Sequence, residues 1–342
     1  MVKKIYKLFI VIMFATITIT GCSIESSLEN NEDNELKIGI TLYKQEDKYI
    51  TELINATEEF FVEKENRTNT KITVNVVDAK GNTTTQNNQI DKFIAQGYDV
   101  ICVNIIDRTA ASSIINKAKK ANIPIVFFNR EPVQEDMNLW NKIYYVGAKA
   151  QESGKLQGEI IVEKYKENKS LVDKNNDDKI QYVILEGEAE HQDSLIRTEE
   201  TIKELRNNDI KLEKLDSYCA NWQNVQGYQK MLEWIEEFDK DIEVVFSNND
   251  DMALGAIHAI LGSNIPKERR PLVVGIDGIP EALDRIDEGT MIGTVFNDYM
   301  EQAENIADIC YNVHFNKKKY TERYFKSSYR LITKENVDDY IK

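Results

Sequence analysis

The sequence predicts an α/β protein built as two similar lobes, each a parallel sheet flanked by helices. Three observations point there. Short β-branched runs alternate with amphipathic segments of helix length, the pattern of βαβ units whose strands form parallel sheets covered on both faces. The runs fall into two series, each too long to share one sheet comfortably with the other. The 342 residues also suggest about two domains.

Composition narrows the class. With 42% hydrophobic and 30% charged residues the chain can bury a core and is not a disordered polyelectrolyte. Its 43 Lys and Arg against 58 Asp and Glu give a net charge of −15, a poor complement to phosphate backbones, so nucleic acid is excluded as a partner. The four cysteines, Cys22, Cys102, Cys219 and Cys310, are too scattered for a disulfide scaffold and lack the paired spacing of a zinc site. The last three read as structural, and three histidines argue against a histidine-rich metal centre.

The first element is an export signal. Lys3, Lys4 and Lys7 precede an apolar run at 8–19, too short to span a bilayer but long enough for the core of a secretory signal. The run ends in Ile19-Thr20-Gly21-Cys22, which resembles the lipobox of bacterial lipoproteins, where cleavage before the cysteine leaves a thiol for a diacylglycerol. Loss of three of the 43 basic residues leaves 40 against 58 acids, a net of −18 for the mature chain. Residues 22–35 are acidic and aperiodic and read as a tether after lipidated Cys22.

Strand-like runs follow at 37–42, 72–77, 100–105 and 123–128, each rich in Ile and Val, with helical patterns at 48–66, 85–96 and 108–121 between them. The second series has strands at 143–146, 180–185, 210–212, 242–246, 272–276 and 291–296, with helices at 149–167, 193–207, 223–238, 250–263 and 279–288.

In open α/β sheets ligands bind beyond the carboxyl ends of the strands. The polar residues there are Asp47 and Tyr49, Asn104, Asn129 and Arg130, then His191, Asp193 and Arg197, then Trp222, Asn249 with Asp250, Asp277, and Asn297 with Asp298. Amides, carboxylates, an arginine and aromatics suit a sugar: hydroxyls both donate and accept, and an aromatic face packs on the C–H patch of the ring. Taken singly, an Asp or Asn after a strand is more often a helix cap, and Asp250 and Asp298 look like caps.

A second constellation spans 173–181. Oxygen side chains at Asp173, Asn175, Asp177 and Gln181, with a backbone carbonyl expected at Lys179, match the first nine positions of a calcium loop. Asp178 stands where glycine usually makes the turn, and Ile184 stands where a bidentate Glu belongs. The residues alone leave a calcium loop and an acidic surface loop both open.

Several motifs then appear together: Thr41-Leu-Tyr-Lys44, Val126-Phe-Phe-Asn-Arg-Glu-Pro132, Tyr145-Val-Gly147, Glu152-Ser-Gly154, Leu185-Glu-Gly-Glu188, Ser247-Asn-Asn-Asp250, Gly275-Ile-Asp277 and Gly293-Thr-Val-Phe-Asn-Asp298. From about residue 36 onward the chain resembles the galactose/glucose-binding proteins of bacterial sugar ABC transporters, within the type I periplasmic binding proteins. The resemblance implies two Rossmann-like lobes joined by a three-segment hinge, with crossings near 128–129, 295–296 and 331–333. The N-terminal lobe would comprise 36–128 plus 297–332, the C-terminal lobe 129–296 plus 333–342. It implies sugar ligands at Asp47, Asn104, His191, Asp193, Arg197, Asn249, Asp277 and Asn297, with Tyr49 and Trp222 stacking on the ring. Tyr49 takes the place of the family's usual Phe. It also implies a structural Ca²⁺ held by Asp173, Asn175, Asp177, Lys179, Gln181 and Glu213.

The function implied is capture of a monosaccharide, D-galactose, D-glucose or a methyl-galactoside, by a monomeric extracytoplasmic lipoprotein. Its sole membrane contact is the lipid anchor, and it delivers the sugar to an ABC transporter permease. A chemotaxis or sensor-kinase receptor is a further partner the resemblance allows, and ribose or xylose is the alternative ligand. No enzyme is expected, since a glycosidase needs a carboxylate pair flanking a scissile bond with room for a leaving group. A repressor would open with a basic helix-turn-helix, where this chain carries its export signal.

Overall fold

The computed structural model describes residues 34–341, so the export signal, Cys22 and nearly all of the tether lie outside the described residues. Glu35, expected to end the tether, instead opens the first strand, where it pairs with Lys71 in register and as an ion pair at 2.9 Å.

The first part of the chain runs β1 (Glu35–Leu42), α1 (Lys48–Thr68), β2 (Lys71–Asp78), α2 (Thr83–Ala95), β3 (Val100–Val103), α3 (Ala111–Ala121), β4 (Ile125–Phe128), α4 (Gln134–Met137) and β5 (Ile143–Ala148). The second runs α5 (Ala150–Glu167), α6 (Lys169–Val172), β6 (Ile180–Glu186), α7 (Gln192–Asn207), β7 (Leu212–Cys219), α8 (Asn224–Phe238), β8 (Val244–Ser247), α9 (Asp250–Gly262), β9 (Leu272–Val274), α10 (Pro280–Asp287) and β10 (Gly293–Asn297). The chain closes with α11 (Tyr299–His314), β11 (Tyr324–Ser327) and β12 (Tyr329–Thr333). Among the described residues no helix is long and apolar enough to cross a membrane.

Two six-stranded sheets result, ordered β11-β5-β4-β3-β1-β2 and β12-β10-β9-β8-β6-β7. Pairing is parallel except between β10 and β12. Each strand feeds two cores alternately: Val100 and Cys102 of β3 pack towards α1 and α11, whereas Ile101 and Val103 pack towards α2 and α3. That double burial is why the strands read as near-continuous apolar runs. Strand order reverses beside β1 in one sheet and beside β6 in the other, so each lobe opens a crevice at the carboxyl ends there.

The fold class holds, but the division between lobes shifts. β5, assigned from the sequence to the second series, pairs with β4 in the first sheet. Residues 129–142 are an excursion within the first lobe, not a crossing. The chain leaves that lobe at Lys149 between β5 and α5, returns at Asp298 between β10 and α11, and crosses again at Ser328 between β11 and β12. The expected crossings at 128–129, 295–296 and 331–333, and the lobe boundaries drawn from them, are corrected accordingly. The apolar run of β5 suits either sheet, and only strand pairing decides. β7 extends well beyond the expected 210–212; as an edge strand it carries exposed Glu213 and Lys214, which broke the apolar pattern.

The three crossings are tied to one another. Buried Gln302 on α11 donates through Nε2 to Asn297 Oδ1 at 2.8 Å and to Ser327 Oγ at 3.1 Å. Ser327 Oγ in turn donates to the carbonyl of Gly147 at 3.3 Å. One amide therefore links the ends of β10, β11 and β5, the strands that deliver the chain to each crossing. Gln302→Leu would strand these acceptors, and chemical denaturation should show a loss of about 1–3 kcal/mol. An unchanged midpoint and slope would show that the crossings do not depend on this amide.

Candidate functional site

Three helices begin at the cleft between the lobes, and each is capped by a residue predicted to bind ligand. Asp47 Oδ1 accepts from the Ile50 amide at 3.1 Å at the start of α1. His191 Nδ1 accepts from the Asp193 amide at 3.1 Å at the start of α7, and Asn249 Oδ1 from the Met252 amide at 3.0 Å at the start of α9. Capping and ligand contact are not exclusive: Asp47 Oδ2 and Asn249 Nδ2, which meet the Tyr43 hydroxyl and the Trp222 carbonyl, each keep a further lone pair or N–H for a ligand. Asp298 caps α11 as expected. Asp250 does not cap α9; its buried carboxylate accepts from the amides of Gly278 and Ile279 and the hydroxyl of Thr294, and burial pushes its pKa up to about 6.

These groups enclose a narrow cavity of about 30 Å³ that opens into a cleft mouth of about 770 Å³. Asp47, Tyr49, His191, Asp193, Arg197, Trp222, Asn249 and Asp277 line it, eight of the ten predicted sugar residues. Asn104 and Asn297 do not reach the wall. The Asn104 amide donates to the Phe128 carbonyl and Asn129 Oδ1, and its oxygen accepts from the Tyr43 amide, so it positions residues that do line the cavity. Asn297 belongs to the hinge through Gln302 and also hydrogen-bonds Asp277.

Three lining residues fell outside the predicted set: Tyr43, Asn129 and Arg130. Asn129 and Arg130 do follow a strand, and Tyr43 sits in one of the quoted motifs, but only the structure shows them converging. The Arg130 guanidinium lies 3.7 Å over the Tyr43 ring and reaches Glu188 of the opposite lobe at 2.7 Å. Glu188 also meets Lys44 at 2.8 Å, and Lys48 meets Glu281 at 3.3 Å. All three ion pairs span the cleft. Burial pushes the Glu188 pKa up, but Arg130 and Lys44 outweigh it and hold the carboxylate below its ordinary range.

Three residues that line the cavity have positive φ. Asn129, Trp222 and Asp277 have φ of 61°, 65° and 132°, conformations that L side chains seldom adopt. The indole of Trp222 is seated against Gly187, where an added Cβ would lie 2.1 Å from the ring. His191 stands edge-on to that indole at 5.2 Å between centroids. Burial raises the pKa of Asp47, Asp193 and Asp277, Asp277 most, while Arg197, 3.6 Å from Asp277 Oδ1, works against that rise.

One observation sets the cavity apart. Among the described residues three buried side-chain polar atoms have no hydrogen-bond partner, the Tyr49 hydroxyl, Arg130 Nε and Arg197 Nε, and all three residues line this cavity. Buried polar groups are almost always paired, so these are groups built for a partner that enters from outside.

The loop at 173–181 is held by hydrogen bonds and ion pairs among its own side chains and those of its neighbours. Asp178 has φ of 70° and makes the turn that glycine usually makes. Gln181 Nε2 donates to Asp177 Oδ2 at 2.8 Å and to Glu213 Oε2 at 3.3 Å, and Asn175 Nδ2 donates to Gln181 Oε1 at 3.1 Å. Glu213 arrives by the register of β6 with β7, directly opposite Gln181. Lys169 lies 3.4 Å from Asp173 and Lys179 3.2 Å from Glu213, so lysines supply the positive charge here. Among the described residues no group of three or more His, Cys, Asp or Glu side chains is gathered as a metal site. The donors offered by the loop are all oxygens, the chemistry calcium takes.

Comparison with known proteins agrees with this architecture. Residues 38–318 match the family described as periplasmic binding protein domain. The chain is 34% identical to the D-galactose/methyl-galactoside binding periplasmic protein MglB of Haemophilus influenzae, over 90% of this chain and 92% of that protein. It is 30% identical to a putative rhizopine-binding protein of Rhizobium meliloti, over 89% and 92%. A solved ABC transporter solute binding protein from Bacillus halodurans with bound myo-inositol superposes with a TM-score of 0.76 at 27% identity, covering 90% of this chain and 98% of that one.

The environment of His191 makes a signed prediction. Burial, then the guanidinium groups of Arg130 and Arg197, hold its pKa well below the usual value, so the folded protein keeps it neutral. The unfolded chain takes up a proton at about pH 6.5. Stability should therefore fall as pH drops below that point, by up to about 1.4 kcal/mol per unit. His191→Gln should remove this part of the decline, and melting temperatures of both proteins between about pH 7.5 and pH 5 check it. Parallel curves would show that His191 titrates alike in both states.

Proposed function

The chain belongs to the periplasmic binding protein domain family, and from that premise we propose that it captures a monosaccharide in the interlobe cleft and delivers it to an ABC transporter permease. The single observation that carries this reading is the set of three unpartnered polar groups on one cavity wall, surrounded by buried carboxylates, an amide and an indole. Arg197, Asp193 and Asn249 offer donors and acceptors from one lobe, and Asp47 with Tyr49 from the other. Galactose or glucose is the preferred ligand, supported by the MglB relative and by the match between the lining residues and the expected sugar set.

A ligand held by both lobes binds the closed form better than the open one and shifts the population to closure. The Lys44–Glu188–Arg130 bridge acts in the same direction, since it joins the two lobes across the cleft. The permease then reads the closed form. The relatives are named as binding proteins rather than enzymes, so no enzymatic step is assigned. The protein works outside the cytoplasm, and acyl chains on Cys22 tether it to the membrane.

Titration with galactose and glucose should change Trp222 fluorescence, because the indole forms the cavity wall. Asp277→Ala or Asp193→Ala should abolish the change, and a full response in either variant would refute the site. Calorimetry with ribose, xylose and myo-inositol in parallel ranks the ligands.

The same reading places a structural Ca²⁺ at the 173–181 loop, with Asp173, Asn175, Asp177, the Lys179 carbonyl, Gln181 and Glu213 as its ligands. When bound, the ion supplies positive charge that holds β7 against β6. Because it would bind the folded chain alone, millimolar Ca²⁺ should raise the melting temperature by a few degrees and a chelator should reverse the gain. A melting temperature indifferent to both would remove the ion from the account.

A further inference from the structure

Tyr49 differs from every other tyrosine around the cavity. The Tyr43 hydroxyl donates to Asp47, and the Tyr145 hydroxyl donates to the Asn129 carbonyl at 2.9 Å. The Tyr329 hydroxyl accepts from Arg197 Nη2 at 3.3 Å. The Tyr49 hydroxyl has no partner at all, although the residue is only 5% exposed.

Neither can Tyr49 turn away to find one. It lies in the first turn of α1, which the Asp47 cap fixes, and its ring packs into the first lobe's core with Ile50 and Leu53. The hydroxyl is held at the cavity, within electrostatic reach of Tyr329, Asp277 and Arg197 of the other lobe. A phenylalanine would satisfy the packing equally well. The added oxygen destabilises the empty protein unless something arriving in the cavity pairs with it, because an unpaired buried hydroxyl costs about 1–3 kcal/mol. Of the three unpartnered atoms it is the only one on a neutral group, and its side chain alone makes no other hydrogen bond, whereas both arginines bond carboxylate or carbonyl oxygens through their other nitrogens.

Resting on the sugar-binding reading above, we propose that Tyr49 is a specificity-determining residue that hydrogen-bonds one ligand hydroxyl and thereby selects monosaccharides that carry it. The carbon that bears this hydroxyl is the position the tyrosine reads. Sugars deoxygenated at that carbon are discriminated against, because they leave the tyrosine unpaired in the closed form.

The test is a cycle between protein and ligand. Wild type and Tyr49→Phe are titrated by calorimetry with the best-bound hexose and with each of its monodeoxy analogues. Tyr49→Phe should bind the parent hexose about tenfold more weakly than wild type does. For one analogue, the sugar lacking the partner hydroxyl, the two proteins should bind with the same affinity. The inference is overturned if Tyr49→Phe binds the parent as tightly as wild type, or if every analogue loses the same factor with both proteins. Failure of wild type to bind any sugar would instead overturn the proposed function, and this inference with it.

Discussion

Two sheets connected three times by one chain face a common constraint: backbone leaving a buried strand must find partners for its polar groups. At the crossings the Gln302 amide ties the side chains of Asn297 and Ser327 together, and Ser327 carries the link on to the backbone carbonyl of Gly147. Each lobe has its own pair of cores, and across the cleft they meet through ion pairs such as Arg130–Glu188 and Lys48–Glu281. Relative motion must therefore be absorbed at three short segments whose geometry is fixed by hydrogen bonds rather than by apolar packing. Such bonds are directional, so they favour rotation about a defined axis over general loosening.

The cleft inherits its chemistry from the way the helices start. Parallel strands end at the cleft, the next helix begins there, and its first amides need acceptors. Asp47, His191 and Asn249 satisfy that need while presenting a second atom or face to the cavity. Around them, strained positions at Asn129, Trp222 and Asp277 hold side chains where relaxed backbone would not. Asp250 keeps Asp277 in place by binding the two amides that follow it.

Much of this was legible in the residues alone. β-branched runs and helix-length spacers led to the α/β class, and polar residues after the strands led to eight of the lining groups. Where the reading failed, the missing information was long-range. The β5 run is apolar enough for either sheet, so its lobe depends on pairing with β4, which local pattern does not encode. Asn104 and Asn297 carry suitable side chains, but their amides are consumed by Asn129 and Gln302. Arg130 was visible as a post-strand residue, yet its importance arises from Glu188, 58 positions later and in the other lobe.

The double duty of the capping residues also bears on how such a protein can adapt. Exchanging Asp47, His191 or Asn249 to suit a new ligand would also uncap a helix, at about 0.5–2 kcal/mol of folding stability. Changes of diet are therefore cheapest at lining positions that hold no helix end and no hinge bond. Tyr49 is such a position, and a single oxygen there can be gained or lost without disturbing the scaffold that displays it.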